Sequence, residues 1–98
     1  MFIAEVVGNV WGTRKHASLR DRRLLLVRPI DPFSEAPLGD ATMAVEYGTG
    51  AGPGSVVLVM DEGGSARSVL KDEKAPVRAV VVGIVDAVTT GGKVKRYE

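Results

Sequence analysis

Apolar residues along this chain come in short runs rich in β-branched side chains, and they do not recur at helical spacing over any long window. The first run spans Ile3 to Trp11 and is interrupted by Gly8 and Asn9. A polar stretch, Thr13 to Arg22, separates it from Leu24-Leu25-Leu26-Val27, which stops at Pro29. Asp31-Pro32 through Gly39-Asp40 reads as a loop, with Pro32 and Pro37 as breakers. The pattern predicts a third strand over Thr42 to Tyr47, a fourth over Val56 to Met60, and a fifth, the longest, over Val77 to Val88. A glycine-rich segment, Gly48 to Gly54, lies between the third and fourth. One short helix is predicted over Ala66 to Lys71, with Ser65 as its N-cap after the turn at Gly63-Gly64. The polar tail, Gly91 to Glu98, is expected to fray or to clamp onto a neighbour.

Five strands with one short helix before the last point to an all-β protein, a small five-stranded OB-like β-barrel whose closure removes exposed edges. Gly83, inside the fifth run, marks a barrel bend or a close backbone approach. A half-exposed antiparallel strand should alternate apolar and polar residues. Leu24 to Val27, Val56 to Met60 and Val80-Val81-Val82 do not alternate, so both faces of these strands are apolar. One face fills the barrel, and the other needs cover. Contacts with other copies are the favoured source of that cover, and loops or the short helix of the same chain are the alternative.

Composition sharpens this picture. At 98 residues the chain is a single domain, 1–98, with a small core. It has no cysteine and one histidine, which excludes disulfide support, a thiolate metal site and an Fe–S cluster. Association with other chains is the remaining way to add buried area. The net charge is +1 and neither half is polarised, so no basic arm or acidic tail stands out. No apolar run approaches the roughly 20 residues that span a bilayer, and Met1 to Glu5 lacks the features of a secretory signal. A soluble intracellular protein is expected.

No catalytic constellation emerges. Gly48 to Gly54 lacks the Gly-Lys-Ser/Thr ending of a phosphate-binding loop and runs into a strand, so a turn with positive φ is the expected reading. His16 lies among Arg14, Lys15 and Ser18 without a positioned partner and reads as a surface or interface residue. Ser68-Val69-Leu70-Lys71 spells S-x-x-K, but the companion motifs of penicillin-recognising enzymes are absent. Asp61-Glu62 and Asp72-Glu73 match no metal-loop spacing. Arg20, Arg22 and Arg23 form the densest basic cluster, either lining a solvated loop or bridging to acidic groups of a neighbour. The aromatics Phe2, Trp11, Phe33, Tyr47 and Tyr97 are scattered, which argues against a base-stacking platform for single-stranded nucleic acid.

The order of segments resembles the EutN/CcmL family of bacterial microcompartment vertex proteins. The resemblance rests on Val6-Val7-Gly8-Asn9-Val10, Thr13 to Leu19, Leu24 to Pro29, Ala44-Val45-Glu46 before Gly50-Ala51-Gly52, and Val56 to Val59. It continues through Gly64-Ser65-Ala66-Arg67, Ala75-Pro76-Val77 and Val81 to Asp86. Trp11 and Glu46-Tyr47-Gly48 depart from the expected residues at their positions. The resemblance implies a cyclic homopentamer at the five-fold vertices of a cytoplasmic polyhedral shell. Hexamer-forming shell proteins would be its partners, with no cofactor, no metal, no catalysis, no nucleic acid and no membrane. Gly48, Gly50, Gly52, Ser65, Ala66 and Arg67 are the expected pore-lining positions, and Arg14, Lys15, His16, Arg20, Arg22 and Arg23 the expected subunit or facet contacts. An OB-fold binder of single-stranded nucleic acid is the alternative function, and a small enzyme or enzyme subunit a further class.

Overall fold

The computed structural model describes residues 1–10, 23–46, 48–61 and 79–97. The strands are β1 (Phe2–Val10), β2 (Arg23–Pro29), β3 (Thr42–Glu46), β4 (Val56–Asp61), β5 (Ala79–Ile84), β6 (Ala87–Thr90) and β7 (Lys93–Arg96). The first five close into a barrel in the order β1-β2-β3-β5-β4. Only the β3–β5 contact is parallel, and β4 pairs with β1 to complete the circle. The all-β class and the five-stranded barrel expected from the runs are therefore what forms. The short helix expected over Ala66 to Lys71 lies outside the described residues.

Strand alternation decides which side chains enter the barrel. Ala4, Val6, Leu25, Val27, Ala44, Val57, Val59, Ala79 and Val81 point inward and are buried together, joined by Ala51 from the following loop and by Phe2. The β-branched residues suit this narrow interior because they fill a pleated surface with few rotamers to lose. Two bulges bend the sheet into closure. One leaves Val7 unpaired between Val6↔Val27 and Gly8↔Leu26. The other leaves Val82 unpaired between Leu58↔Gly83 and Val59↔Val81. A Cβ at Gly83 would meet no atom within 4 Å, so no close approach within the chain requires this glycine, which lies beside the second bulge.

The non-alternating runs resolve into two situations. Outside the barrel, Val45 and Val80 are buried within the single chain, packed with Leu24, Met60 and Val82. Cover from the same chain, the lesser expectation, holds for this stripe. Leu26 and Leu58, also on these runs, are only half-buried, and beyond the runs Met43 is 54% exposed, Ile84 46% and Val7 40%.

The fifth run does not continue as one strand. Val85 N–H still donates to Val56 carbonyl oxygen at 2.8 Å, after which the chain leaves the barrel and enters β6. The segment read as a polar tail is the second half of a hairpin. Thr90↔Lys93 closes it around Gly91 (φ 53°) and Gly92 (φ 80°), both left-handed as a tight two-residue turn requires. The hairpin is tied to the loop after β2. Tyr97 hydroxyl donates to Pro32 carbonyl oxygen, and Lys95 Nζ lies 3.1 Å from Glu35 Oε2. That loop is held by Asp31, whose Oδ1 accepts the N–H groups of Phe33 (2.9 Å) and Ser34 (3.0 Å). These two backbone hydrogen bonds hold the Asp31 carboxyl below its ordinary range.

Candidate functional site: the glycine-rich loop and the outer face of the barrel

Glu46 ends β3 and begins the glycine-rich loop. It is the buried charged residue of the described core, only 4% exposed. Its Oε2 accepts from Arg23 Nε at 2.9 Å. Its Oε1 accepts three donors: Thr49 N–H at 2.8 Å, Thr49 hydroxyl at 2.7 Å and Gly50 N–H at 2.9 Å. The second arm of the Arg23 guanidinium donates to Ala51 carbonyl oxygen, so the same pair grips the loop from both sides. Register explains the pairing, because Arg23 and Glu46 are direct cross-strand partners on β2 and β3. Burial works to raise the Glu46 pKa, but the hydrogen bonds from Thr49, Arg23 and Gly50 outweigh it and bring it below the ordinary 4.5.

This geometry disposes of an anion-binding role for the loop. Consecutive N–H groups around left-handed glycines make a nest that suits an anion. Gly48 (φ 82°), Gly50 (φ 79°) and Gly54 (φ 91°) supply the left-handed turns, as the turn reading anticipates. The anion in the nest is the protein's own Glu46 carboxylate. The far end of the loop is stitched to β1 by Gly54 N–H to Val6 carbonyl oxygen and Val6 N–H to Ser55 carbonyl oxygen, both at 2.9 Å.

The expected site residues fall into three groups. Gly48, Gly50 and Gly52 share this one loop, and a Cβ at any of them would meet nothing within 4 Å. Arg23, one of the expected subunit or facet contacts, is bound to Glu46 and Ala51 of its own chain, with 48% of its side chain still exposed. Ser65, Ala66, Arg67, Arg14, Lys15, His16, Arg20 and Arg22 lie outside the described residues. Sequence reasoning missed Glu46 as the organiser of the loop. The signal was a lone acid immediately before a glycine-rich turn, with an arginine at the start of the neighbouring strand.

No group of three or more His, Asp or Glu side chains able to hold a metal occurs among the described residues. Of the five aromatics, Phe2, Phe33 and Tyr97 are among the described residues. Phe2 packs against the core, and Tyr97 is engaged with Pro32. Trp11 and Tyr47 lie outside the described residues. No helix among the described residues is long and apolar enough to cross a membrane.

The outer face of β1–β2–β3 is of a different kind. Leu25 and Val27 point inward, so Leu26 and Arg28 point outward. Register sets Leu26 against Met43 on one side and Gly8 on the other, and sets Arg28 opposite Glu5. The Arg28 Nε is buried and has no hydrogen-bond partner.

Comparison with known proteins matches this architecture end to end. The family model described as ethanolamine utilisation protein EutN/carboxysome matches residues 1–86. The bacterial microcompartment shell vertex protein EutN of Escherichia coli K12 is 42% identical over 94 residues, covering 96% of each chain. The solved structure of CcmL from Nostoc sp. PCC 7120 superposes with a TM-score of 0.84 at 35% identity, covering 96% of both chains. The structure of GrpN from Rhodospirillum rubrum, a pentameric microcompartment shell protein, gives 0.76 at 33% identity, over 92% of this chain and 99% of that one. Matched over the whole barrel and by relatives of its own length, the chain belongs to the EutN/CcmL family of microcompartment shell vertex proteins.

Proposed function

We propose that this chain assembles as a cyclic pentamer and caps the five-fold vertices of a microcompartment shell in the cytoplasm, next to hexamer-forming facet proteins. Its role is structural, without catalysis, nucleic acid or membrane. The observation that carries this reading is the end-to-end similarity to named shell vertex proteins, over 96% of this chain and 96% of its relative. The barrel supports it independently: Met43, Ile84 and Val7 remain apolar and exposed on a closed sheet that has no edge left to pair. A plane tiled by hexamers cannot close without five-fold defects, and a pentamer supplies them. Rotation about a five-fold axis brings one patch against a different patch, so the contact is heterologous.

Native mass spectrometry tests the assembly. A five-fold multiple of the 10.4 kDa protomer is expected, and a stable folded monomer at micromolar concentration would overturn the proposal. Electron microscopy of shells formed without any vertex protein tests the role. Open tubes or leaky shells are expected, and closed, fully capped polyhedra would refute it. The glycine-rich loop is the proposed rim of the axis. Gly52 is the position for a cysteine, because a side chain there meets no atom within 4 Å and the backbone is not left-handed. Gly52→Cys in this cysteine-free chain should crosslink between protomers with a very short reagent, and failure to do so removes the loop from the axis.

A further inference from the structure

From Thr49 to Ser55 the glycine-rich loop spends its main-chain donors on its own chain. Thr49 and Gly50 N–H donate to Glu46 Oε1 at 2.8 and 2.9 Å, and Ala51 N–H donates to the Thr49 hydroxyl oxygen at 3.3 Å. Gly52 N–H donates to the Ser55 hydroxyl oxygen at 3.2 Å. Gly54 N–H donates to Val6 carbonyl oxygen and Ser55 N–H to Gly52 carbonyl oxygen, both at 2.9 Å. Pro53 has no N–H to give. The acceptors are treated differently. Ala51 carbonyl oxygen takes the Arg23 guanidinium, and Gly52 carbonyl oxygen takes Ser55 N–H. The carbonyl oxygens of Gly50, Pro53 and Gly54 receive no donor among the described residues, and these three are the exposed residues of the stretch.

We infer that Glu46 determines which solutes this loop accepts: its carboxylate fills the amide nest, so Gly50, Pro53 and Gly54 meet a solute with carbonyl oxygens alone, which suits protonated amines and turns small carboxylates away. The inference rests on the reading that places this loop at the five-fold axis, and it names the solute class of that rim. A carboxylate beside these oxygens gives up hydrogen bonds from water and gains none. An ammonium group exchanges water for carbonyl oxygens, as it does in carbonyl-lined filters. Arg23, the cation held against the loop, does not reverse the preference, because Glu46 matches its charge at 2.9 Å. At the axis the same oxygens would converge from every copy.

The test titrates the assembled protein in carboxylate-free buffer and follows the loop's amide and carbonyl resonances. In the unsubstituted protein sodium acetate should give no saturable shift at any amide from Gly48 to Ser55. Methylammonium chloride should move the carbonyl resonances of Gly50, Pro53 and Gly54 more than sodium chloride at equal ionic strength. Glu46→Ala removes a fragment the size of an acetate ion and frees the N–H groups of Thr49 and Gly50. It should bind acetate about tenfold or more tightly than the unsubstituted protein, with saturable shifts at those two amides. Sodium benzoate, too large for the vacated space, should not reproduce them. If Glu46→Ala is unfolded without added anion, acetate and not benzoate should restore its circular dichroism. Saturable acetate binding to the unsubstituted loop would overturn the inference. So would a methylammonium response no larger than that to sodium, or a Glu46→Ala variant that neither binds acetate nor is rescued by it. Failure of Gly52→Cys to crosslink is a separate outcome: it takes the loop off the axis and leaves the acetate and methylammonium results standing.

Discussion

The two ends of the β2–β3 ribbon carry the same ingredients and treat them in opposite ways. At one end Arg23 meets Glu46 at 2.9 Å, and both carboxylate oxygens accept hydrogen bonds, from Arg23 on one and from Thr49 and Gly50 on the other. At the other end Arg28 has a buried Nε without an acceptor, and Met43 stands half in solvent. The first end is complete within one chain: its charge is desolvated and fully compensated. The second leaves a desolvated donor uncompensated and an apolar side chain in solvent. A buried charge is therefore informative through its satisfaction more than its presence.

The ribbon's shared inner face sets the scale against which both ends are measured. Val81 stands on β5 beside Glu46 in register, only 2% exposed, inside the barrel. Val81→Asp places an unpaired carboxylate there and should cost about 4 kcal/mol or more, a large part of the roughly 5–15 kcal/mol that holds a domain together. Loss of the cooperative urea transition is the expected readout. A variant that unfolds like the unsubstituted protein would place Val81 outside the core.

Breaking the complete end should come next in size. Glu46→Ala leaves the donors of Arg23, Thr49 and Gly50 without their common acceptor, and should destabilise the protomer by about 2–3 kcal/mol. Arg23, with nearly half its side chain exposed, regains water, which keeps the loss below that of a fully buried pair. Urea denaturation measures it. A loss under about 0.5 kcal/mol would show that the glycine-rich loop holds its shape without the carboxylate.

The same carboxylate gives the comparison a pH axis. Its pKa in the folded chain is below the ordinary 4.5, so the folded state binds the proton less readily than the unfolded state does. The stabilisation is then fully present above 4.5 and is lost as pH falls through the lower folded value. The stability gap between the unsubstituted protein and Glu46→Gln should be constant above that point and narrow below it. A gap that widens on acidification would reverse the assigned sign.

The barrel was legible because its signal is local. Runs such as Leu24 to Val27 and Val56 to Met60 announce strands by composition, and Pro29, Pro37 and the glycines announce where they stop. The Arg23–Glu46 clamp was not legible, because it joins residues 23 positions apart and depends on the β2–β3 register. Arg23 in sequence looks like its neighbours Arg20 and Arg22, and only the register gives it a different task. The β6–β7 hairpin was missed for another reason. Gly91-Gly92 is a strong turn signal, but Lys93-Val94-Lys95-Arg96 has too few apolar residues to read as a strand. Most of the expected contact positions, Arg14 to Arg22 and Ser65 to Arg67, fall outside the described residues.

That hairpin supplies the smallest and most discriminating expectation. It is anchored just beyond the incomplete end of the ribbon, where Lys95 Nζ approaches Glu35 Oε2 at 3.1 Å and Tyr97 hydroxyl reaches Pro32 carbonyl oxygen. The ion pair resembles Arg23–Glu46 in distance but not in surroundings. Its side chains are 34% and 44% exposed, so water competes for both charges and salt screens them. Lys95→Ala should therefore change protomer stability by no more than about 0.5 kcal/mol, and that small effect should fade as ionic strength rises. Two-stranded ribbons are marginal alone, so the hairpin's order rests on its other tethers, the Tyr97 hydroxyl and the Tyr97 N–H to Asp86 carbonyl oxygen at 2.9 Å. Amide hydrogen exchange in Val88 and Lys95, cross-strand partners in the ribbon, separates the two. Protection that survives Lys95→Ala but collapses in Tyr97→Phe assigns the anchoring to the hydroxyl. Collapse in Lys95→Ala instead would mean that an exposed ion pair here does what only the pair with a buried carboxylate at the far end of the ribbon is built to do.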